Sequence, residues 1–219
     1  MNYTSMEMQD QFAHILLGNR GTFLDLGSAD PIVGNNTASL ESIGWSGLAF
    51  DSIQHLADAM NNSSRKTPCF CVDVSREDPF VKILLKFKPG KHFNYISLDV
   101  DDASVSCLNL LTNNGFTFDV MTFEHDAYLG DETRRVLSRE ILFDHGYGLL
   151  FKDVKTCSKN WSPYGPQCRP CNHVNVEKWE WEDWWVGPRF FHCLGYSASS
   201  MAHQDCIKIL RNIGGEIKW

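Results

Sequence analysis

Short apolar runs, most of them closed by an acid or a glycine, alternate with segments of helical spacing along most of this chain. Thr22-Phe23-Leu24-Asp25-Leu26 is the first run and stops at Gly27, a residue that bends sharply and admits a close approach to the backbone. Ahead of it Met8, Phe12, Ile15 and Leu16 recur at near-helical spacing up to Gly18-Asn19, which predicts an opening helix over 6–18. Behind it 37–43 reads as a short helix capped by Asn36 or Thr37. A second run, 47–51, ends in Asp51; a helix over 53–60 and a polar linker over 61–68 follow; a third run, 69–73, ends in Asp73. After a helix over 80–87, the run 93–98 leads into Asp99-Val100-Asp101-Asp102. After another over 105–111, the run 118–123 leads into Glu124-His125-Asp126. Residues 133–145 are helical with Arg134, Arg135 and Arg139 on the polar side, and 146–151 is a sixth strand. This alternation predicts an α/β sheet that binds ligands at the carboxyl ends of its strands.

From 156 to 170 the pattern breaks into loop. Beyond it Trp179, Trp181, Trp184 and Trp185 crowd among Glu180, Glu182 and Asp183, either as core or as a wall on which a sugar could stack. Met201, Cys206, Ile209, Leu210 and Ile213 space a closing helix before Gly214-Gly215, suited to packing or to a homodimer contact. No repeat or interdomain linker interrupts the chain, and its length fits a single domain over 1–219, with a Cys-rich and Pro-rich insertion at 156–176 and a C-terminal extension at 189–219.

Composition narrows the class. No apolar run approaches bilayer length, and the first ten residues are polar and acidic, unlike a signal peptide, which predicts a cytoplasmic protein without a membrane partner. A net charge of −7 with scattered Lys and Arg argues against nucleic acid. Most of the eight cysteines, Cys69, Cys71, Cys107 and Cys206 among them, sit in apolar runs as free thiols do. Cys157, Cys168, Cys171 and His173 form a sparser set, open to structural zinc or to free loop thiols.

The spacing from Gly27 to Asp51 is about that between the glycine turn and the ribose-binding carboxylate of Rossmann-like folds, so the expected ligand is nucleotide-like. At this point the chain resembles the FkbM-type family of S-adenosylmethionine-dependent methyltransferases. The resemblance runs through Gln9-Asp10-Gln11-Phe12, then Gly21 to Gly27, Asn36-Thr37, Gly44-Trp45-Ser46-Gly47-Leu48, Ile96 to Asp101, Phe123 to Tyr128 and Glu182 to Pro188. Ser28-Ala29-Asp30-Pro31 departs from the glycine-rich continuation more common in that family, and Asp51-Ser52 from its Glu-Pro.

The resemblance implies a Rossmann-like class I methyltransferase sheet, mostly parallel with helices on both faces, and S-adenosylmethionine as cofactor. Carried onto this sequence, Gly27 admits the cofactor, Asp51 accepts the ribose hydroxyls and Asp73 the adenine amine. Asp25 and Asp99 lie by the methionine ammonium, with Ser28, Asn36, Thr37, Ser52 and Val74 completing the binding set. A hydroxyl acceptor then needs a base or a metal. The cluster Asp99, Asp101, Asp102, Glu124, His125 and Asp126 offers both: His125, Asp99 or Asp101 as base, and magnesium or manganese held by Asp99, Asp101, Glu124 and His125. The expected reaction is O-methylation of a sugar or glycan hydroxyl, with a small polyketide or phenolic hydroxyl as the alternative acceptor. A nicotinamide-dependent oxidoreductase fits less well, since no second glycine follows Gly27 until Gly34; a non-catalytic nucleotide-binding module is the remaining reading.

Overall fold

The computed structural model describes residues 2–155, 180–196, 198–199 and 201–214. Five strands, β1 (Thr22–Leu26), β2 (Ser46–Asp51), β3 (Cys69–Cys71), β4 (His92–Leu98) and β5 (Thr117–Glu124), pair in parallel in the order β3-β2-β1-β4-β5. β7 (Glu180–Val186) enters antiparallel beside β5, and β6 (Gly148–Lys155) and β8 (Ala198–Ser199) complete the order β5-β7-β6-β8. The first five strands lie where their apolar runs predict. The Trp-rich segment is instead the antiparallel strand itself.

β7 is buried along both faces, so its side chains lack the alternation of polar and apolar residues that marks a half-exposed strand. Trp184 stacks on Phe12 and Trp185 meets Phe143 edge-on, both fully buried, and Trp181 stacks on Tyr128. These three rings are core rather than a sugar-binding wall; Trp179 and the set Cys157, Cys168, Cys171 and His173 lie outside the described residues. Cys69, Cys71, Cys107, Cys193 and Cys206 are free thiols, Cys71 exposed and the others buried.

Helices cover both faces of the sheet. Leu24, Leu26, Ile96, Leu98, Met121 and Phe123 point toward α4 (Glu77–Phe87), α5 (Ser104–Asn113) and α6 (Thr133–Asp144). Phe23, Tyr95 and Val120 point the other way, toward α1 (Gln9–Leu17), α2 (Ala38–Ser42) and α7 (His203–Gly214). α3 (Gln54–Asn61) sets Ala57 and Met60 on Ala49 and Cys69. Cys206, Ile207, Leu210 and Ile213 of α7 are buried in the α1-side core, so the closing helix spends its apolar stripe within the chain. No helix among the described residues is long and apolar enough to cross a membrane.

Candidate active site

A cleft of about 270 Å³ opens at the carboxyl ends of β1 to β4. Gly27, Ala29, Asp51, Ser52, Ile53, Asp73, Val74, Asp99 and Asp101 are among its lining residues, so it gathers six of the ten expected binding residues, Gly27, Asp51, Ser52, Asp73, Val74 and Asp99, from the ends of four strands. Gly27 has φ +82°, and a Cβ there would lie 1.7 Å from the Asp99 carbonyl oxygen. The close approach expected at Gly27 is therefore first that of the neighbouring strand end.

Asp51 holds the loop around this turn. Its Oδ2 accepts from the Ala29 N–H at 3.0 Å and its Oδ1 from the Ile53 N–H at 2.9 Å, which leaves further lone pairs on a carboxylate that lines the cleft. Asp73 is exposed; hydrogen bonds from the Ser75 hydroxyl and N–H hold its carboxyl below the usual range, and Arg76 lies 3.2 Å away. Asp25, Ser28, Asn36 and Thr37 are not among the lining residues. Asn36 Nδ2 donates to Ser97 Oγ at 2.9 Å, Ser28 Oγ lies 3.4 Å from Cys69 Sγ, and Thr37 Oγ1 donates to Asp25 Oδ2 at 2.7 Å. Burial pushes the Asp25 carboxyl up against the pull of Thr37, Arg65 and Asn35.

Thr37 stands at the N-cap position of α2, but its side chain makes no capping hydrogen bond. Asn35 Oδ1 accepts from the N–H groups of Thr37 and Ala38, both at 2.9 Å, while Asn35 Nδ2 donates to the Ser28 carbonyl at 2.9 Å. One side chain thus caps the helix and folds the cleft loop under it.

The strand-end acids split by strand parity. Glu124 closes β5 on the α1 side, where Asp99 from β4 and Glu182 from β7 also lie; Glu124 and Glu182 are register partners. Asp99 and Glu124 are hydrogen-bonded, and burial first, then neighbouring carboxylates, push both carboxyls up. The two carboxyls share the proton of that bond. Asp101, exposed at φ +48°, and exposed Asp102 sit on the short turn after β4, and Asp126 pairs with Arg134 at 3.1 Å.

His125 falls on the opposite face. It is fully buried; its Nδ1 accepts from the Ala127 N–H at 3.2 Å, which puts the ring proton on Nε2. Nε2 faces Asp183 Oδ1 at 3.6 Å and Asp153 Oδ1 at 3.9 Å. Both acids are already matched. Arg139 makes a bidentate pair with Asp183, with both contacts at 2.8 Å, and reaches Asp153 at 2.6 Å, while Arg135 reaches Asp153 at 2.9 Å. Among the described residues His125, Asp153 and Asp183 are the one group of three whose donor atoms lie within 4.8 Å, so Asp99, Asp101, Glu124 and His125 do not converge as a metal set. Two guanidinium groups and a ring N–H make the assembled group an ion-pair network, not a cation site.

Glu182 escaped the sequence reading as a site residue. Burial raises its carboxyl to about 8, with Glu7 and Asp99 adding to the rise and hydrogen bonds from Trp184 and Gln9 opposing it. The folded chain therefore holds a proton that the unfolded chain releases near pH 4.5, so stability falls as pH rises from about 4.5 to about 8 and levels off above that. Glu182→Gln removes this part of the slope. Urea unfolding across that range should show the variant gaining on the parent toward pH 8, by up to a few kcal/mol at about 1.4 kcal/mol per tenfold change in acid constant. Parallel curves would assign Glu182 an ordinary ionisation.

No protein-family model matches the chain, and no curated protein matches it in sequence. Among solved structures it is similar to a TehB-like SAM-dependent methyltransferase from Corynebacterium glutamicum, with 11% identity and a TM-score of 0.52 over 84% of this chain and 89% of that one. It is less similar to the bifunctional kinase-methyltransferase WbdD, with 15% identity and a TM-score of 0.49 over 82% of this chain and 37% of that one. The plantazolicin methyltransferase BpumL, in complex with SAH, gives 9% identity and a TM-score of 0.47 over 83% and 82%. At such identities the likeness establishes the fold. The chain has the Rossmann-like class I methyltransferase sheet.

Proposed function

We propose that this chain is an S-adenosylmethionine-dependent methyltransferase acting on a hydroxyl acceptor. The observation that carries the reading is the cleft at the carboxyl ends of β1 to β4, which gathers Gly27, Asp51, Asp73, Val74 and Asp99. Its donor set suits the cofactor, because carboxylates from successive strands meet hydroxyls and a cation, and a turn without a side chain leaves room beside them. When bound, S-adenosylmethionine supplies a methyl group already activated by the positive sulfonium.

Asp51 is assigned to the ribose hydroxyls and Asp73 to the adenine edge. Asp99 is assigned two tasks, facing the cofactor cation and, through the proton it shares with Glu124, receiving the acceptor's proton. A proton shared by the two carboxyls leaves one negative charge rather than two beside the buried Glu124, which limits the cost of desolvation. His125 is reassigned from base to the buried support of β5, and no step depends on a divalent ion. A sugar or glycan hydroxyl remains the proposed acceptor class, supported by Asp101 and Asp102, whose exposed carboxylates lie beside the cleft and accept hydroxyl hydrogen bonds. The FkbM-type assignment rests on the residue resemblance.

Calorimetric titration of S-adenosylhomocysteine tests the reading. The parent should bind, and Asp51→Asn should bind about 10- to 100-fold more weakly, the loss of a charge-assisted hydrogen bond of about 1.5–3 kcal/mol. Binding of NADH with no response to S-adenosylhomocysteine would replace the methyltransferase by an oxidoreductase.

A further inference from the structure

Arg65 lies in the polar linker between α3 and β3, outside every motif of the sequence, yet its side chain is only 4% exposed. It reaches back across 24 to 34 residues of chain to the loop that follows β1 and to α2. Nη1 donates to the Pro31 carbonyl at 2.7 Å and to Asn35 Oδ1 at 3.0 Å, and Nη2 donates to Thr37 Oγ1 at 2.9 Å. Nε completes the fork on Glu41 Oε2 at 2.8 Å.

Two of these partners tie together the loop that borders the cleft. Asn35 ties the Ser28 carbonyl to the start of α2, and Thr37 carries its hydroxyl to Asp25. Glu41 is itself fixed, since the Lys66 N–H and the Thr67 hydroxyl also donate to it. These bonds outweigh burial and hold its carboxyl below the usual range. The N-terminal strap braces the same loop from the other side: Thr4 Oγ1 donates to the Asn35 carbonyl at 2.9 Å, and Asp10 accepts from Thr4 N, Ser5 N and Ser39 Oγ.

A buried arginine with four oriented acceptors is far more than a linker needs for solubility. Only a planar fork satisfies a carboxylate, a carbonyl, an amide oxygen and a hydroxyl together; a lysine ammonium reaches part of that set. We propose that Arg65 is a positioning residue for the cofactor cleft, holding the loop from Ser28 to Thr37 in the shape that sets Gly27 and Ala29 beside Asp51. The assignment rests on the cofactor reading above. It predicts that affinity for the cofactor depends on a side chain that does not line the cleft.

The test compares parent, Arg65→Lys and Arg65→Ala by calorimetric titration of S-adenosylhomocysteine, with thermal unfolding of each measured alongside. Both variants should bind about 10- to 100-fold more weakly at temperatures where they remain folded, because a displaced loop misplaces every contact it carries. Methylguanidinium should restore part of the affinity of Arg65→Ala, whereas a merely structural role would lower the unfolding temperature without that rescue. Amide hydrogen exchange over 28–37 should quicken in Arg65→Lys without ligand, which keeps the test available if the alanine variant does not fold. Parent-like affinity in a folded variant, or a loss that methylguanidinium leaves unchanged together with unaltered exchange in the loop, overturns the assignment of Arg65 alone. A parent that does not bind overturns the cofactor reading, and the assignment with it.

Discussion

Arg139→Met lowers the stability of this chain by about 3–5 kcal/mol, the usual loss when one member of a buried ion pair is removed and its partner left behind. The size follows from where Asp183 sits. It is fully buried on β7, and although burial pushes its carboxyl up, hydrogen bonds from Arg139 and then His125 hold it below the usual range. Without Arg139, Asp183 keeps only the Asp153 N–H and the distant His125 ring, and Asp153 keeps Arg135. Urea denaturation at neutral pH measures the loss. Combining Arg139→Met with Asp183→Asn should recover a large part of it, since the orphaned charge goes with the second substitution. A single-variant loss below about 1 kcal/mol would reduce the pair to the worth of a surface contact.

Gly27→Ala acts on stability and ligand together. The left-handed backbone alone costs a side chain about 1–2 kcal/mol. Crowding against the Asp99 carbonyl adds about 1–3 kcal/mol if the chain yields as packed cores do. Relief of the 1.7 Å overlap means parting the ends of β1 and β4, where the Asp99 N–H donates to the Leu26 carbonyl at 3.0 Å. Both ends border the cleft. The expected outcome is a lower urea midpoint and an affinity for S-adenosylhomocysteine reduced beyond tenfold, about 1.4 kcal/mol; parent-like values in both would show the turn to be pliable.

The parallel half of the sheet was legible because strands covered on both faces are nearly continuous apolar runs, as 22–26 and 93–98 are. β7 was hidden by the same burial: Glu182 and Asp183 look like surface residues until Trp184 and Arg139 are seen to satisfy them. The separation of Glu124 from His125 was available in principle, since adjacent strand positions point to opposite faces, and reading the cluster as one group overlooked that alternation. Asn35 and Arg65 were out of reach. Asn35 neighbours two equally plausible caps, and the partners of Arg65 lie far back along the chain, brought near only once β2 and α3 have formed.

The pairing order dictates an order of assembly. β1 to β5 can join one another as the chain is synthesised, whereas β6 borders no strand that precedes it, both of its neighbours coming later. A growing chain that has not yet extended past Glu180 carries β5 with one open edge and β6 with no ladder at all, the condition in which nascent chains call on chaperones. The cleft side of the sheet is therefore set early. The arginine network waits for the strand bearing Asp183, which pairs with β5 on one side and gives β6 its first ladder on the other.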